Sequence, residues 1–201
     1  MITTIIFDIG NVLADFDWET HYRNLGFGEE KIERLAKATV LNPLWNEYDR
    51  GVMSDEEILR GFIESDPELE AEIREAVRDV GGMVSRNEYA IPWIKELQGK
   101  GYRCLYLSNF SERGHRECAP ALDFIPYLDG GILSYQDKVI KPMPEIYQLL
   151  IDRYGLVPEE CVFMDDTPRN LEGAEKFGIH TIHFKNQAQA IEELRKLGVE
   201  A

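Results

Sequence analysis

Short apolar runs that end in polar residues recur along this chain, and amphipathic segments separate them. Runs of this kind are typical of strands that are buried on both faces of a sheet. Three of these runs are residues 2–7, which Asp8 follows, residues 102–107, which Ser108 and Asn109 follow, and residues 161–164, which Asp165 and Asp166 follow. Alternation of such strands with helical segments predicts an α/β fold built on a doubly wound, mostly parallel sheet.

Residues 17–83 show a helical pattern and no strand-like run. Ser54 and Glu57 have the spacing of a capping box, which predicts the start of a helix at this point. We therefore expect a helical domain at residues 17–83, inserted into a core domain made of residues 1–16 and 84–201. The total length of 201 residues allows one sizeable α/β core and a smaller second one.

Acidic residues outnumber basic ones, with 37 Asp and Glu against 22 Lys and Arg and a formal net charge of −15. No basic patch stands out, so we expect neither nucleic acid nor an anionic membrane as a partner. No apolar run approaches about 18 residues, and the amino terminus lacks a basic leader. The three cysteines form no C-x-x-C pair, which is typical of core thiols in a reducing compartment. We expect a cytoplasmic protein that is a monomer or a weak homodimer.

The predicted parallel strands bring several reactive groups to one edge of the sheet, where ligands bind in open α/β folds. Asp8 can act as a nucleophile that forms an aspartyl phosphate. The hydroxyl of Ser108 and the backbone N–H of Asn109, which we expect at a helix start, can hold phosphate oxygens. Lys141 lies in a loop that can join this edge, and its charge can stabilise the group being transferred. These residue types in this order predict phosphoryl transfer.

A metal ion is expected beside these groups, because Asp8, Asp165 and Asp166 would repel one another. At about 4 Å and an effective dielectric constant near 20, each pair of like charges costs on the order of 4 kcal/mol. A cation removes this penalty, and hard oxygen ligands favour Mg²⁺. The expected ligands are the three carboxylates and the backbone carbonyl of Gly10. Asn170 either orients the acidic pair or lies on a helix surface.

Four motifs in a fixed order carry a resemblance to a known family. They are residues 7–12 (FDIGNV), 107–109 (LSN), 141–147 (KPMPEIY) and 163–166 (FMDD). In this order they resemble the haloacid dehalogenase superfamily. The Gly10-Asn11 variant is most similar to the subgroup that contains bacterial α-D-glucose-1-phosphate phosphatase. The resemblance implies a Rossmann-like core, a helical cap formed by the insert at residues 17–83, and Mg²⁺ as the cofactor.

The resemblance also implies a role for each matching residue. These roles are Asp8 as nucleophile, Ser108, Asn109 and Lys141 around the phosphate, and Mg²⁺ binding by Asp8 and the Asp165-Asp166 pair. Gly10 departs from the family pattern, because most of the family's phosphatases carry a second Asp at this position to protonate the leaving oxygen. General acid catalysis contributes roughly 10²–10⁴ in rate. Glycine in place of this Asp is therefore expected to have a large effect on the rate, unless another group supplies the proton.

Three outcomes of the missing acid stay open. Asp15, Asp17 or a water can replace it, the leaving group can need little help, or catalysis can be lost. We favour the second as a hypothesis, because a sugar 1-phosphate releases a hemiacetal oxygen, which is less basic than an ordinary alkoxide. The expected function is accordingly a Mg²⁺-dependent phosphatase acting on a small phosphorylated metabolite, with a sugar 1-phosphate as the favoured class.

Other functions make different demands on the same residues. Carbon–halogen hydrolysis by the same nucleophile needs no metal and leaves Asp165 and Asp166 without a role. A catalytically weak regulatory or metabolite-binding protein is the alternative that Gly10 allows. A receiver-like phosphoacceptor fits less well, because its acidic pair precedes the acceptor Asp. If the helical insert covers the site, Trp45 and Arg50 are candidate substrate contacts.

Overall fold

A computed structural model describes all of residues 1–201. Its strands, in chain order, are β1 (Thr4–Phe7), β2 (Ala14–Phe16), β3 (Val84–Arg86), β4 (Arg103–Ser108), β5 (Gly131–Leu133), β6 (Cys161–Asp165) and β7 (His180–His183). Five of them form a fully parallel sheet in the order β5-β4-β1-β6-β7. This topology, with helices between the strands, confirms the predicted α/β fold class.

The helices connect and cover the strands, and short 3₁₀ turns lie between several of them. In chain order they are α1 (Trp18–Asn24), α2 (Glu29–Ala38), α3 (Leu44–Arg50), α4 (Asp55–Ser65), α5 (Glu70–Ala76), α6 (Ala90–Gly99), α7 (Glu112–Glu117), α8 (Ser134–Asp137), α9 (Pro144–Tyr154), α10 (Pro168–Glu175) and α11 (Gln187–Lys196). No helix combines the length and the apolar character needed to cross a membrane.

Strand β1 lies at the centre of the sheet, and its side chains face opposite layers of helices. Ile5 and Phe7 belong to a hydrophobic cluster with residues of α6 and α11, whereas Ile6 belongs to a second cluster with residues of α9 and α10. The Phe7 ring meets the Trp93 ring edge to face, with 5.2 Å between the centroids. Full burial of such side chains contributes about 1.5–3 kcal/mol each. A four-residue apolar segment can therefore form the central strand.

Helices α1 to α5 and the turn after them surround a separate hydrophobic cluster of 13 buried residues. Trp45 packs against this cluster and stacks on Phe62, with 6.0 Å between the ring centroids. The predicted capping box opens α4. The Ser54 hydroxyl accepts a hydrogen bond from the backbone N–H of Glu57, and the Glu57 carboxylate accepts one from the Ser54 N–H at 2.8 Å. The helical segment thus has a core of its own.

A two-stranded antiparallel ribbon joins the helical segment to the sheet. In this ribbon β2 pairs with β3, and Phe16 lies opposite Val84. The sequence does not predict the ribbon, because three-residue strands are too short to show a period of two. The chain returns to it through the 3₁₀ turn Val80–Met83. A Cβ atom on Gly82 would lie 2.5 Å from Nδ1 of His21, so a glycine is needed where this turn passes α1.

The three cysteines are free and buried, as their sequence context predicts. Burial raises the pKa of the Cys104 and Cys118 thiols to about 12 and that of the Cys161 thiol to about 11. Because the thiolate is the reactive form, we expect almost no reaction with a disulfide reagent at pH 8 in the folded protein. Titration in denaturant should then reveal all three thiols. Rapid modification of the folded protein would contradict this expectation.

Candidate active site

The carboxyl ends of three adjacent strands meet at the centre of the sheet. Asp8 follows β1, and its backbone N–H donates to the carbonyl oxygen of Met164 at 2.9 Å. Ser108 is the last residue of β4, and Asp165 is the last residue of β6. All three side chains are buried, although charged and polar groups are costly to bury unless they are paired. The predicted convergence of these residues is therefore present in the fold.

Lys141 supplies the charge that pairs with this buried cluster. Its Nζ atom lies 2.9 Å from Oδ1 of Asp8 and 2.6 Å from Oδ2 of Asp165, and the side chain is 1% exposed. Charge-assisted hydrogen bonds of this length are stronger than those between neutral groups. One ammonium group thus bridges the nucleophile candidate and the first residue of the acidic pair.

The side chain of Asn109 holds the backbone of Lys141 in place. Its Nδ2 donates to the Lys141 carbonyl oxygen at 3.0 Å, and its Oδ1 accepts from the Lys141 N–H at 2.8 Å. The expected helix is present, because α7 begins at Glu112 and the Ser111 hydroxyl caps it. Asn109 lies three residues before this helix, so its backbone N–H belongs to the connecting loop and not to the helix start. Position alone does not reveal the contact of the Asn109 side chain.

Burial and charge act in opposite directions on the pKa values of this cluster. Desolvation raises the pKa of Asp8 to about 7; the Asp165 charge adds to this, and Lys141 opposes it. Desolvation lowers the pKa of Lys141, but the charges of Asp165 and Asp8 outweigh it and leave that pKa raised. Two carboxylates therefore compete for one ammonium group. A further positive charge near Asp8 would favour its ionised, nucleophilic form.

The two members of the acidic pair have different surroundings. Asp165 is fully buried and accepts hydrogen bonds from the Thr167 N–H at 2.7 Å and from Nδ2 of Asn170 at 3.0 and 3.1 Å. Asp166 is less buried, and its Oδ2 accepts from Nδ2 of Asn11 at 2.8 Å. Of the two alternatives for Asn170, the geometry favours orientation of the acidic pair.

Asn11 is a site residue that the sequence analysis does not single out by itself. Its φ of 56° lies in the left-handed region, which Asn tolerates better than most residues. This backbone turn lets its Oδ1 accept from the Phe16 N–H at 3.1 Å while its Nδ2 reaches Asp166. The signal in the sequence is the Gly10-Asn11 pair shortly after a strand, because Gly and Asn are common turn residues.

The donor set fits a hard divalent cation. One oxygen each from Asp8, Asp165 and Asp166 lies within 4.8 Å of the others. Three carboxylates face a single ammonium group, so a cation with a charge of two would balance the cluster. Oxygen ligands of this type suit Mg²⁺. Gly10 lines the same cavity, and its carbonyl as a fourth ligand stays a prediction.

A cavity of about 330 Å³ opens above these residues and is large enough for a small metabolite. The sheet edge forms one wall, and the helical segment forms the other with Val40, Trp45, Asn46 and Asp49. Trp45 is therefore placed to contact a ligand, as expected. Arg50 does not line the cavity, because its Nε donates to the Lys138 carbonyl oxygen at 2.9 Å.

The two carboxylates that the sequence offers as replacement acids differ in position. Asp15 lines the cavity, is exposed, and accepts a hydrogen bond from Nδ2 of Asn87 at 3.2 Å. Asp17 does not line the cavity, because it caps α1. Its carboxylate accepts a hydrogen bond from the Thr20 N–H, and this bond lowers the pKa of Asp17. A Cβ atom on Gly10 would meet no atom within 4 Å. Crowding therefore does not explain the glycine.

Comparison with known proteins identifies the family. Residues 2–178 match the family model of the haloacid dehalogenase-like hydrolases. The chain belongs to the haloacid dehalogenase-like hydrolases, which confirms the superfamily that the four motifs predict. It is a hydrolase of this family, and the same comparison does not resolve the subgroup.

Two curated relatives illustrate the range of similar proteins. Phosphatase MT3486 from Mycobacterium tuberculosis (strain CDC 1551 / Oshkosh) is 26% identical over 223 residues, which cover 98% of this chain and 95% of that protein. (S)-2-haloacid dehalogenase 4A from Burkholderia cepacia is 32% identical over 94 residues, or 47% of this chain and 41% of that protein. The alignments with the first curated relatives span 10%, 19% and 41% of those proteins' lengths.

Solved structures share the fold over nearly the whole chain. A predicted HAD-like family hydrolase from Porphyromonas gingivalis superposes with a TM-score of 0.74 over 100% of both chains, at 26% identity. A HAD family enzyme from Bacteroides thetaiotaomicron, solved in complex with magnesium and inorganic phosphate, has a TM-score of 0.70 and 23% identity. That alignment covers 92% of this chain and 95% of the other.

Proposed function

We propose that this protein is a Mg²⁺-dependent phosphatase that hydrolyses a small phosphorylated metabolite through an aspartyl phosphate on Asp8. One observation carries the proposal: Asp8, Lys141 and the acidic pair form one cluster at the cavity, and its single ammonium group does not balance three carboxylates. The similarity to Phosphatase MT3486 over nearly the whole chain supports it. We further propose that residues 17–83 form the cap domain and residues 1–16 and 84–201 the core.

Each residue of the site has a distinct task in this proposal. A carboxylate oxygen of Asp8 attacks phosphorus, and the bond to the leaving oxygen breaks. Lys141 stabilises the negative charge that spreads over the phosphoryl oxygens. The Ser108 hydroxyl and the Asn109 backbone N–H hold two of those oxygens. A water then attacks the aspartyl phosphate, which releases phosphate and regenerates Asp8.

The proposed metal site consists of Asp8, Asp165, Asp166 and the Gly10 carbonyl. Mg²⁺ at this position would neutralise the carboxylates and the incoming phosphate. Asn11 and Asn170 hold the acidic pair in its orientation through their amide groups. Groups that orient metal ligands commonly affect metal affinity as well.

We propose a sugar phosphate as the substrate class, with a sugar 1-phosphate favoured. The cavity of about 330 Å³ has room for a phosphorylated monosaccharide, and its helical wall presents Trp45 and Asn46 to the part of the substrate beyond the phosphate. An anomeric leaving oxygen is less basic than a primary alkoxide, so it needs less protonation. The motif resemblance to the glucose-1-phosphate phosphatase subgroup supports the same choice.

Carbon–halogen hydrolysis is the second candidate, because (S)-2-haloacid dehalogenase 4A is among the relatives. The same nucleophile, Asp8, would displace a halide from carbon. This reaction needs no metal, and the cluster of Asp8, Asp165 and Asp166 would then have no evident role. The phosphatase accounts for more of the site.

Metal removal separates these two functions. We expect Mg²⁺-dependent phosphate release from glucose 1-phosphate in a screen of phosphorylated metabolites. Chelation with EDTA should lower it by about 10²–10⁴-fold, because the metal supplies several kcal/mol of stabilisation. Excess Mg²⁺ should restore the rate. Halide release from a 2-haloacid with no phosphate release would overturn the proposal, and a clear preference for glucose 6-phosphate would overturn the favoured substrate class.

A further inference from the structure

The side chain of Asp49 is a further carboxyl group in the cavity, without a task in the mechanism described above. It lies in the last turn of α3 and lines the cavity from the helical wall, opposite Asp8 and Lys141 on the sheet edge. Asp8 and Lys141 line the same cavity from the sheet edge. The helical segment thus places a carboxyl group in the same cavity as Asp8.

Contacts with the core hold this end of α3 in a fixed position. The Ser134 hydroxyl donates to the carbonyl oxygen of Asp49, and Nζ of Lys138 donates to the Gly51 carbonyl oxygen at 2.6 Å. The φ of 69° at Gly51 ends the helix, and a Cβ atom there would lie 3.0 Å from Tyr135. These contacts with α8 determine where the Asp49 side chain enters the cavity.

The surroundings of Asp49 favour its protonated form. Desolvation at the half-buried wall of the cavity raises the pKa of Asp49 to about 8; the Asp8 charge adds to this shift, and the Lys141 charge opposes it. Carbonyl oxygens at the end of a helix also disfavour a nearby negative charge. A carboxylic acid that stays protonated near neutral pH can donate a proton to a leaving group.

We propose that Asp49 is the general acid that protonates the leaving oxygen, in place of the carboxylate that position 10 lacks; this rests on the proposed phosphatase function. As the bond between phosphorus and the leaving oxygen breaks, the Asp49 carboxyl proton moves to that oxygen and an alcohol departs. The resulting Asp49 carboxylate then takes a proton from the water that attacks the aspartyl phosphate. The acid is thereby restored, and each proton has a donor and an acceptor.

Asp49 fits this role better than the acids considered from the sequence. Asp17 does not line the cavity and is held as a helix cap. Asp15 lines it but is exposed and already accepts a hydrogen bond from Asn87. Asp49 alone of these three comes from the wall formed by the helical segment, which covers the part of the substrate that leaves.

The test compares substrates whose leaving groups differ in basicity. For Asp49→Asn, kcat/KM with glucose 6-phosphate should fall by about 10²–10⁴-fold, the usual contribution of a general acid. With glucose 1-phosphate it should fall by less, because the anomeric leaving oxygen is less basic. With p-nitrophenyl phosphate, whose leaving phenolate needs little protonation, it should fall less than about tenfold. The matched control Asp152→Asn, at an exposed aspartate of α9 away from the cavity, should change all three values by less than about threefold. Asp15→Asn should show no loss that depends on the leaving group.

The outcomes separate this inference from the function on which it rests. Equal losses on all three substrates, or no loss on any, would refute the role of Asp49. A leaving-group-dependent loss in Asp15→Asn instead would assign the acid to Asp15. If the wild-type protein shows no turnover of p-nitrophenyl phosphate that Asp8→Asn abolishes, the phosphatase itself is refuted and the role of Asp49 with it. Thermal unfolding of each variant verifies that it is folded.

Discussion

Asp8→Asn should lower phosphatase activity by a factor on the order of 10⁴–10⁶, the scale on which loss of a nucleophile acts in enzymes with covalent intermediates. The amide has nearly the shape of the carboxylate but cannot attack phosphorus. The variant should remain folded, because Lys141 keeps its 2.6 Å ion pair with Asp165. Phosphate release from glucose 1-phosphate measures the loss, and thermal unfolding measures the stability.

Two further measurements make this expectation specific. Acid-quenched wild-type protein should carry a phosphoryl group that is sensitive to hydroxylamine, whereas Asp8→Asn should carry none. The matched control is Asp152→Asn, because Asp152 is exposed on α9, away from the cavity. A variant at position 8 that retains more than about a hundredth of the wild-type rate would show that another group is the nucleophile.

Lys141→Met should lower the free energy of unfolding by about 3–5 kcal/mol, the cost of leaving buried charge without its partner. Lys141 is 1% exposed and faces Asp8 and Asp165, which are themselves buried. Methionine fills a similar volume but leaves two carboxylates to repel each other. Urea unfolding measures the change as a lower midpoint with an unchanged slope.

A matched control and a double variant test the cause of this loss. Lys196→Met removes a lysine whose side chain is 67% exposed in its ion pair, so it should cost less than about 1 kcal/mol. Lys141→Met combined with Asp165→Asn removes the unpaired charge together with its partner. The double variant should therefore be more stable than Lys141→Met. If the two losses simply add, the buried ion pair does not explain the effect.

The sequence predicts the sheet and most of the site because both depend on regular, local patterns. The runs that become β1, β4 and β6 are mostly apolar, and the carboxyl ends of parallel strands lie at the same edge of the sheet. Asp8 and Ser108 could therefore be placed together from their positions at strand ends alone. Lys141 could be assigned to the site because its motif lies between those of Ser108 and Asp165 along the chain, as in the resembled family.

The rest of the site depends on contacts that no local pattern encodes. Asn109 acts through its side chain, which ties Lys141 to β4, and this requires two loops to meet. Asn11 reaches the acidic pair only because its backbone is left-handed. Asp49 lies 85 residues from Ser134, whose hydroxyl secures it. The position of Asp49 in the cavity wall depends on how the helical segment packs on the sheet.

The cavity has one wall from the sheet and one from the helices, and this division has an evolutionary consequence. Under the proposed function, the sheet wall would hold the phosphate, whereas the helical wall would select the alcohol and, through Asp49, would also supply its proton. Selectivity and leaving-group activation are then inherited as a unit. Exchange of the helical segment between relatives would transfer both properties together, whereas an acid two residues after the nucleophile would stay behind with the sheet.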